Sequence, residues 1–210
     1  MIRGVIFDLD GVLVTTDELH YRAWKRLADR EGIYFDRAIN DRLRGVSRMD
    51  SLAIILERTD RDYSDNEKAE MAAFKNDLYR ASLDGLTGGD VLPGVMEALD
   101  GLRARDVKIA VGSSSKNAQK ILEKTGLLDR FDAIADGTDI TRSKPDPEVF
   151  LCAAKKLGLD PAVCAVVEDA EAGIQAARAG GMTAFAVGDA RKSPLADHRL
   201  ERLTELLTWI

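Results

Sequence analysis

Short apolar, β-branched runs recur along this chain with helices between them, and that alternation leaves few folds open. The runs occupy residues 2 to 7, Val107 to Val111, Phe131 to Ala135, Val163 to Val167 and Met182 to Val187. Amphipathic helical patterns lie between or after the later runs, at Val95 to Arg105, Asn117 to Thr125, Glu148 to Leu157 and Ala170 to Ala179. Runs of this kind without polar alternation read as strands buried on both faces, and strand–helix–strand repetition makes those strands parallel. The sequence therefore predicts an α/β fold, a Rossmann-like parallel sheet core covered by helices on both faces. Ligands of such sheets sit at the carboxyl ends of the strands, so the residues that follow each run are the ones to inspect for chemistry.

The alternation is interrupted once. Between Thr16 and about Leu83 no strand-like run occurs, and helical patterns follow one another at Asp17 to Glu31, Asp36 to Arg44, Met49 to Arg58 and Asp65 to Ser82. Four helices cannot extend a sheet, so they are expected to pack as a small bundle inserted after the first strand. The predicted organisation is a catalytic core domain of residues 1–15 and 88–210, with a helical cap domain of residues 16–87. Short connections near Val14-Thr15-Thr16 and from Gly85 to Val91 would act as its hinges.

Thirty basic residues stand against thirty-six acidic ones, a net charge of -6. Such a surface repels phosphate backbones and anionic lipid, so nucleic acid and membrane are poor partners, and a small anionic substrate would need local cations and a metal. Cys152 and Cys164 are the only cysteines and lie in apolar sequence, which reads as buried free thiols and neither a disulfide nor a zinc site. The N-terminal apolar run is too short for a signal peptide, and charges interrupt every later one well before the roughly 18 residues of a membrane span. A cytoplasmic location is expected.

Two strand ends are acidic. Asp8-Leu9-Asp10-Gly11 follows the first run and Glu168-Asp169 closes the fourth. Taken alone, the first reads equally as a solvated turn, and Asp169 reads equally as the N-cap of the helix Ala170 to Ala179. If strand ends converge, however, four carboxylates meet, and like charges about 4 Å apart at an effective dielectric near 20 cost about 4 kcal/mol per pair. A hard divalent cation resolves this, and Mg²⁺ suits a site that also takes phosphate oxygens. Ser113, Ser114 and Ser115 follow the second run, where hydroxyls and free backbone N–H groups at a helix N-terminus form an anion site or a plain cap. Lys144 is a lone basic residue held extended by Pro145. Its weight comes from its place in the order Asp8-x-Asp10, Ser113, Lys144-Pro145, Glu168-Asp169.

That ordered set resembles the haloacid dehalogenase (HAD) superfamily of phosphotransferases. The resemblance implies Asp8 as nucleophile, Asp10 as general acid and base, and Ser113 and Lys144 as holders of the transferring phosphoryl group. It also implies one Mg²⁺ bound by Asp8, the Asp10 backbone carbonyl and Asp169, with Glu168 supporting. In the expected cap, Thr16 to Lys25, Gly45 to Leu52 and Lys75-Asn76-Asp77 resemble the β-phosphoglucomutase branch of that superfamily. That branch interconverts β-D-glucose 1-phosphate and D-glucose 6-phosphate through an aspartyl-phosphate and β-glucose 1,6-bisphosphate. By the same resemblance Arg48, Ser115, Lys116 and Asn117 would hold the non-transferring phosphate. Trp24, Gly45, Val46, Lys75 and Ser114 would face the sugar, and Thr16 and His20 would couple hinge closure to Asp10. Residue 15 is Thr where the pattern commonly has an acidic residue, and Ser114 stands where Ala is common. The expected partner is a small-molecule sugar phosphate handled by a monomer. The alternative is a sugar-phosphate phosphatase on the same scaffold, and a third reading is a metal-dependent sugar-phosphate sensor.

Overall fold

The computed structural model describes residues 1–44 and 46–210. Gly45 lies outside the described residues. Six strands form one parallel sheet: β1 (Gly4–Phe7), β2 (Lys108–Gly112), β3 (Ala133–Ala135), β4 (Cys164–Glu168), β5 (Thr183–Ala186) and β6 (His198–Arg199). Their order is β3-β2-β1-β4-β5-β6, which puts β1 inside the sheet. Successive side chains alternate faces: Val5 and Phe7 join one apolar cluster with Leu99, Leu102 and Ile121, while Ile6 joins another with Phe150, Ala153 and Ile174. Helices α5 (Val95–Arg103) and α6 (Ala118–Lys124) cover the first face, and α7 (Glu148–Leu157) and α8 (Glu171–Ala179) cover the second.

Five of the strands match the apolar runs, each within a residue or two. The sixth, β6, has two residues and carries no run to announce it; it pairs with β5, and its His198 ring packs 4.5 Å from Phe185 and 3.9 Å from Trp209.

Helices α1 (Asp17–Glu31), α2 (Arg37–Asp41), α3 (Arg48–Leu56) and α4 (Asp65–Ser82) lie between β1 and β2 in the chain. They enclose a separate apolar cluster that includes Trp24, Leu27, Ile39, Leu52, Ile55 and Met71. Their ends follow from local chemistry. Ser64 and Glu67 form a reciprocal capping box at the start of α4, Ser47 accepts from the Asp50 N–H, and Gly32 ends α1 in the left-handed conformation. The helix expected over Asp36 to Arg44 is shorter than its pattern, because Asp36 spends its side chain capping Ile39 and the chain turns after Asp41.

The inserted helices touch the sheet half of the molecule at several points. Asn117 Nδ2 donates to Asn76 Oδ1 at 3.2 Å, Lys120 lies 3.0 Å from Asp84, and Arg44 lies 3.5 Å from Asp189. The two connecting segments are also joined to each other: Val14 bridges Val91 in antiparallel fashion, and Leu92 N–H donates to Leu13 C=O at 2.9 Å. Both cysteines are free; Cys164 is buried as expected, whereas Cys152 is only half-buried on α7. Among the described residues no helix is long and apolar enough to cross a membrane.

Candidate active site

Register places the chemistry. Phe7 pairs with Val111 on one side and Val167 on the other, so Asp8, Ser113 and Glu168 leave the sheet at neighbouring points of one edge. Lys144 reaches the same place from the loop between β3 and α7. Its buried Nζ donates to Asp8 Oδ1 at 2.5 Å and to Glu168 Oε1 at 2.6 Å. Burial opposes its charge, but Asp8 and Glu168 outweigh that and hold the ammonium above its ordinary range. The Lys144–Pro145 peptide is cis, and Asp146 N–H donates to Ser143 C=O at 3.0 Å across it, so the chain turns at this junction.

Asp169 does not cap α8. The cap position is Ala170, whose N–H is taken by Glu168 Oε2 at 2.9 Å, so the Asp169 carboxylate remains available. Oxygens of Asp8, Glu168 and Asp169 lie within 4.8 Å of one another. Desolvation, then the charges of Glu168 and Asp8, pushes Asp169 up to about 8, so one ammonium does not satisfy the group. Gly11, at φ +79°, completes the cradle: a Cβ there would fall 2.1 Å from Asp169 Oδ2. Glu168 has both oxygens engaged, by Lys144 and by the backbone. Asp8, Asp169 and the Asp10 carbonyl, to which no backbone N–H donates among the described residues, form a hard all-oxygen set that fits a divalent cation.

The loop after β2 presents hydroxyls. Ser113 Oγ accepts from Ser115 N–H at 3.1 Å and Ser115 Oγ accepts from Asn117 N–H at 3.2 Å, which leaves both hydroxyl protons for an anion. Helix α6 begins at Ala118, later than its pattern, because these serines hold the backbone in turns first. Ser114 Oγ is buried and has no hydrogen-bond partner among the described residues. Gly137 permits the loop's close packing, since a Cβ there would meet Ser114 C=O at 2.4 Å.

Asp10 belongs to a second network. Thr16 Oγ1 donates to Asp10 Oδ1, and Tyr79 OH lies 3.0 Å from the same threonine oxygen. His20 Nε2 is 4.0 Å from Asp10 Oδ2, and His20 Nδ1 is 2.8 Å from Lys75 Nζ. Desolvation raises Asp10 to about 6, with the Thr16 hydrogen bond opposing. Desolvation and the neighbouring Lys75 and Arg48 charges hold His20 well below its usual range, so it is neutral. Burial and the Arg48 charge bring Lys75 down to about 7.

Both networks open onto one cleft of about 990 Å³. Asp8, Asp10, Ser113, Lys144, Glu168 and Asp169 line its sheet side with Ser114, Ser115, Lys116 and Asn117, and Trp24, Val46, Arg48 and Lys75 face them from the helices. Thr16 is fully buried and meets the cleft through its partners Asp10 and Tyr79. Thr15 lines the wall and is exposed. Six cationic and six acidic side chains line the cleft, so the overall negative charge is cancelled where an anion would enter. Sequence reasoning missed Tyr79, and gave Asn76 no role beyond its place in Lys75-Asn76-Asp77. Tyr79 sits one helical turn after Lys75, on the same face, and that spacing was the available signal.

A parallel sheet with acidic pairs at two strand ends, a buried lysine between them and an inserted helical cover defines a phosphotransferase scaffold. The haloacid dehalogenase-like hydrolase family model matches residues 2–181, and the chain belongs to that family. It is 43% identical to β-phosphoglucomutase of Bacillus subtilis over 207 residues, 98% of this chain and 92% of that protein. The crystal structure of β-phosphoglucomutase from Clostridium difficile superposes with a TM-score of 0.92 at 40% identity, covering 98% of this chain and 93% of that one. Fructose-1-phosphate phosphatase of Escherichia coli is 33% identical over 184 residues, 88% of this chain and 95% of that protein.

Proposed function

We propose that this chain interconverts β-D-glucose 1-phosphate and D-glucose 6-phosphate, the β-phosphoglucomutase reaction. One observation supports the choice: the Asp8–Lys144–Ser113 corner and the group of Arg48, Ser115, Lys116 and Asn117 line one cleft, which offers donors for two anions where hydrolysis needs only one. The identity to β-phosphoglucomutases, higher than to the phosphatases, supports the same choice.

In this reading residues 16–87 act as a cap on the core of residues 1–15 and 88–210. Phospho-Asp8 faces the 6-hydroxyl of β-glucose 1-phosphate. The Asp10 carboxylate takes that hydroxyl's proton as its oxygen takes the phosphoryl group, which frees Asp8 and yields β-glucose 1,6-bisphosphate. The intermediate turns round within the cleft. Asp8 then attacks the phosphorus at C1, Asp10 returns the proton to the departing O1, and glucose 6-phosphate leaves. Lys144 and Ser113 hold the transferring group, while Arg48, Ser115, Lys116 and Asn117 hold the other phosphate. Trp24, Val46, Lys75 and Ser114 border the sugar, and Thr16 and His20 tie Asp10 to the cap. Mg²⁺ bound by Asp8, Asp169 and the Asp10 carbonyl, with Glu168 behind them, would supply charge neutralisation for the phosphoryl oxygens. Cap closure excludes water, which would otherwise hydrolyse phospho-Asp8. The reaction belongs in the cytoplasm, where sugar phosphates are found.

The test supplies purified protein with β-glucose 1-phosphate, Mg²⁺ and catalytic β-glucose 1,6-bisphosphate, and follows glucose 6-phosphate and free phosphate together. Glucose 6-phosphate in large excess, abolished by Asp8→Asn and strongly reduced by Arg48→Ala, is the expected result. Phosphate release matching or exceeding isomerisation makes the protein a phosphatase instead, and Mg²⁺ binding without turnover makes it a sensor.

A further inference from the structure

Tyr79 has no part in the scheme above, yet its hydroxyl is directed at the network that holds Asp10. It lies on α4, among the inserted helices, and is 1% exposed. Its ring is fixed from two sides, by the His20 ring at 4.0 Å between centroids and by Lys75 Nζ at 4.6 Å from its own centroid. A buried phenol needs a partner for its proton, and among the described residues only Thr16 Oγ1, at 3.0 Å, offers one. Thr16 is itself fully buried.

The direction of these bonds follows from counting protons. A threonine hydroxyl carries one proton, and an ionised carboxylate can only accept. Thr16 donates to Asp10 Oδ1. Its oxygen can then only accept from Tyr79, and the phenol is the donor. We propose that Tyr79 is a positioning residue for Asp10: by donating to Thr16 it commits the single threonine proton to Asp10 Oδ1 and leaves Oδ2 as the oxygen that exchanges the substrate's proton. The device crosses between segments of the chain, since Asp10 follows β1 while Tyr79 comes from α4, 63 positions after Thr16. The placing of an inserted helix is thereby read out at the proton carrier. Tyr79 acts through Thr16: its ring borders the cleft, while its hydroxyl is directed at Thr16 Oγ1.

This inference rests on the mutase reading of Asp10, and the experiment separates the two. Tyr79→Phe keeps the ring and its packing on His20 and removes only the donor. The expected result is a fall in kcat of about tenfold with KM for β-glucose 1-phosphate within about twofold of wild type. Thr16→Val, alone and combined with Tyr79→Phe, completes a double-mutant cycle. The double variant should be no slower than Thr16→Val alone, whereas in a Thr16→Ser background, which keeps the hydroxyl, Tyr79→Phe should still cost about tenfold. Unchanged kcat in Tyr79→Phe, a rise in KM that accounts for the whole loss, or losses that multiply in the double variant would overturn the proposal while leaving the mutase reading intact. Absence of mutase turnover in the wild type overturns both.

Discussion

Gly11→Ala separates metal binding from folding. A Cβ at this position would lie 2.1 Å from Asp169 Oδ2 and 2.5 Å from its Cγ. An ordinary carbon–oxygen contact is about 3.3 Å, so the carboxylate must retreat by about 1.2 Å. Metal–oxygen distances tolerate only about 0.2 Å, and Asp169 therefore leaves the ligand set. The left-handed backbone adds about 1–2 kcal/mol of strain, which in a chain of this size lowers the melting temperature by about 2–8 °C. That loss is independent of metal. With Mg²⁺ at a hundredfold its dissociation constant, binding stabilises the wild type by about 2.7 kcal/mol, a rise of about 5–11 °C. A hundredfold weaker site retains about 0.4 kcal/mol of that, a rise of about 1–2 °C. Thermal melts of both proteins in EDTA and in Mg²⁺ give all four numbers. A Gly11→Ala protein that keeps the full Mg²⁺-dependent rise would refute the argument that the missing Cβ seats Asp169 on the metal.

Two further outcomes follow from the same geometry. Gly173→Ala should destabilise although alanine favours helices, because its Cβ would lie 1.9 Å from Glu168 Cδ and force apart the buried Lys144–Glu168 pair. The expected cost is about 3–5 kcal/mol in urea unfolding, and a cost below about 1 kcal/mol contradicts it. Lys75 sits at about 7 when folded against 10.5 for the free side chain. Between those values the unfolded chain binds a proton that the folded one has released, so stability rises with pH from about 7 to about 10. Lys75→Met should flatten that rise in melts taken across the range; an identical slope in the variant removes Lys75 as its source.

The central sheet was legible because its code is local. Val5, Ile6 and Phe7 are apolar without interruption and every one is buried, so burial on both faces could be read directly from the run. The placing of Asp8, Ser113 and Glu168 at one edge followed from the rule that parallel strands end together, with no knowledge of strand order. Elements decided by few residues or by distant partners were not legible. β6 is two residues long and exists because β5 offers it an edge. The Asp36 to Arg44 pattern overstated a helix, since periodicity does not say whether an aspartate caps or joins. Asp169 reads as an equally good cap by sequence; the packed helix starts one residue later, with Ala170 at the cap position and no side chain capping it. The contact between Thr16 and Tyr79 is a product of the packed insertion, and neither residue's neighbours in the chain encode it.

The short rung between Val14 and Val91 has a consequence for how the molecule can move. The chain enters the inserted helices just after Val14 and has returned by Val91, and there the outgoing and returning segments are joined as neighbours by backbone pairing. Two independent tethers would let the helical body twist, slide and tilt. Two tethers pinned side by side would restrict the proposed cap to essentially one swing about a common axis, and that swing would carry Arg48 and Lys75 along a single arc.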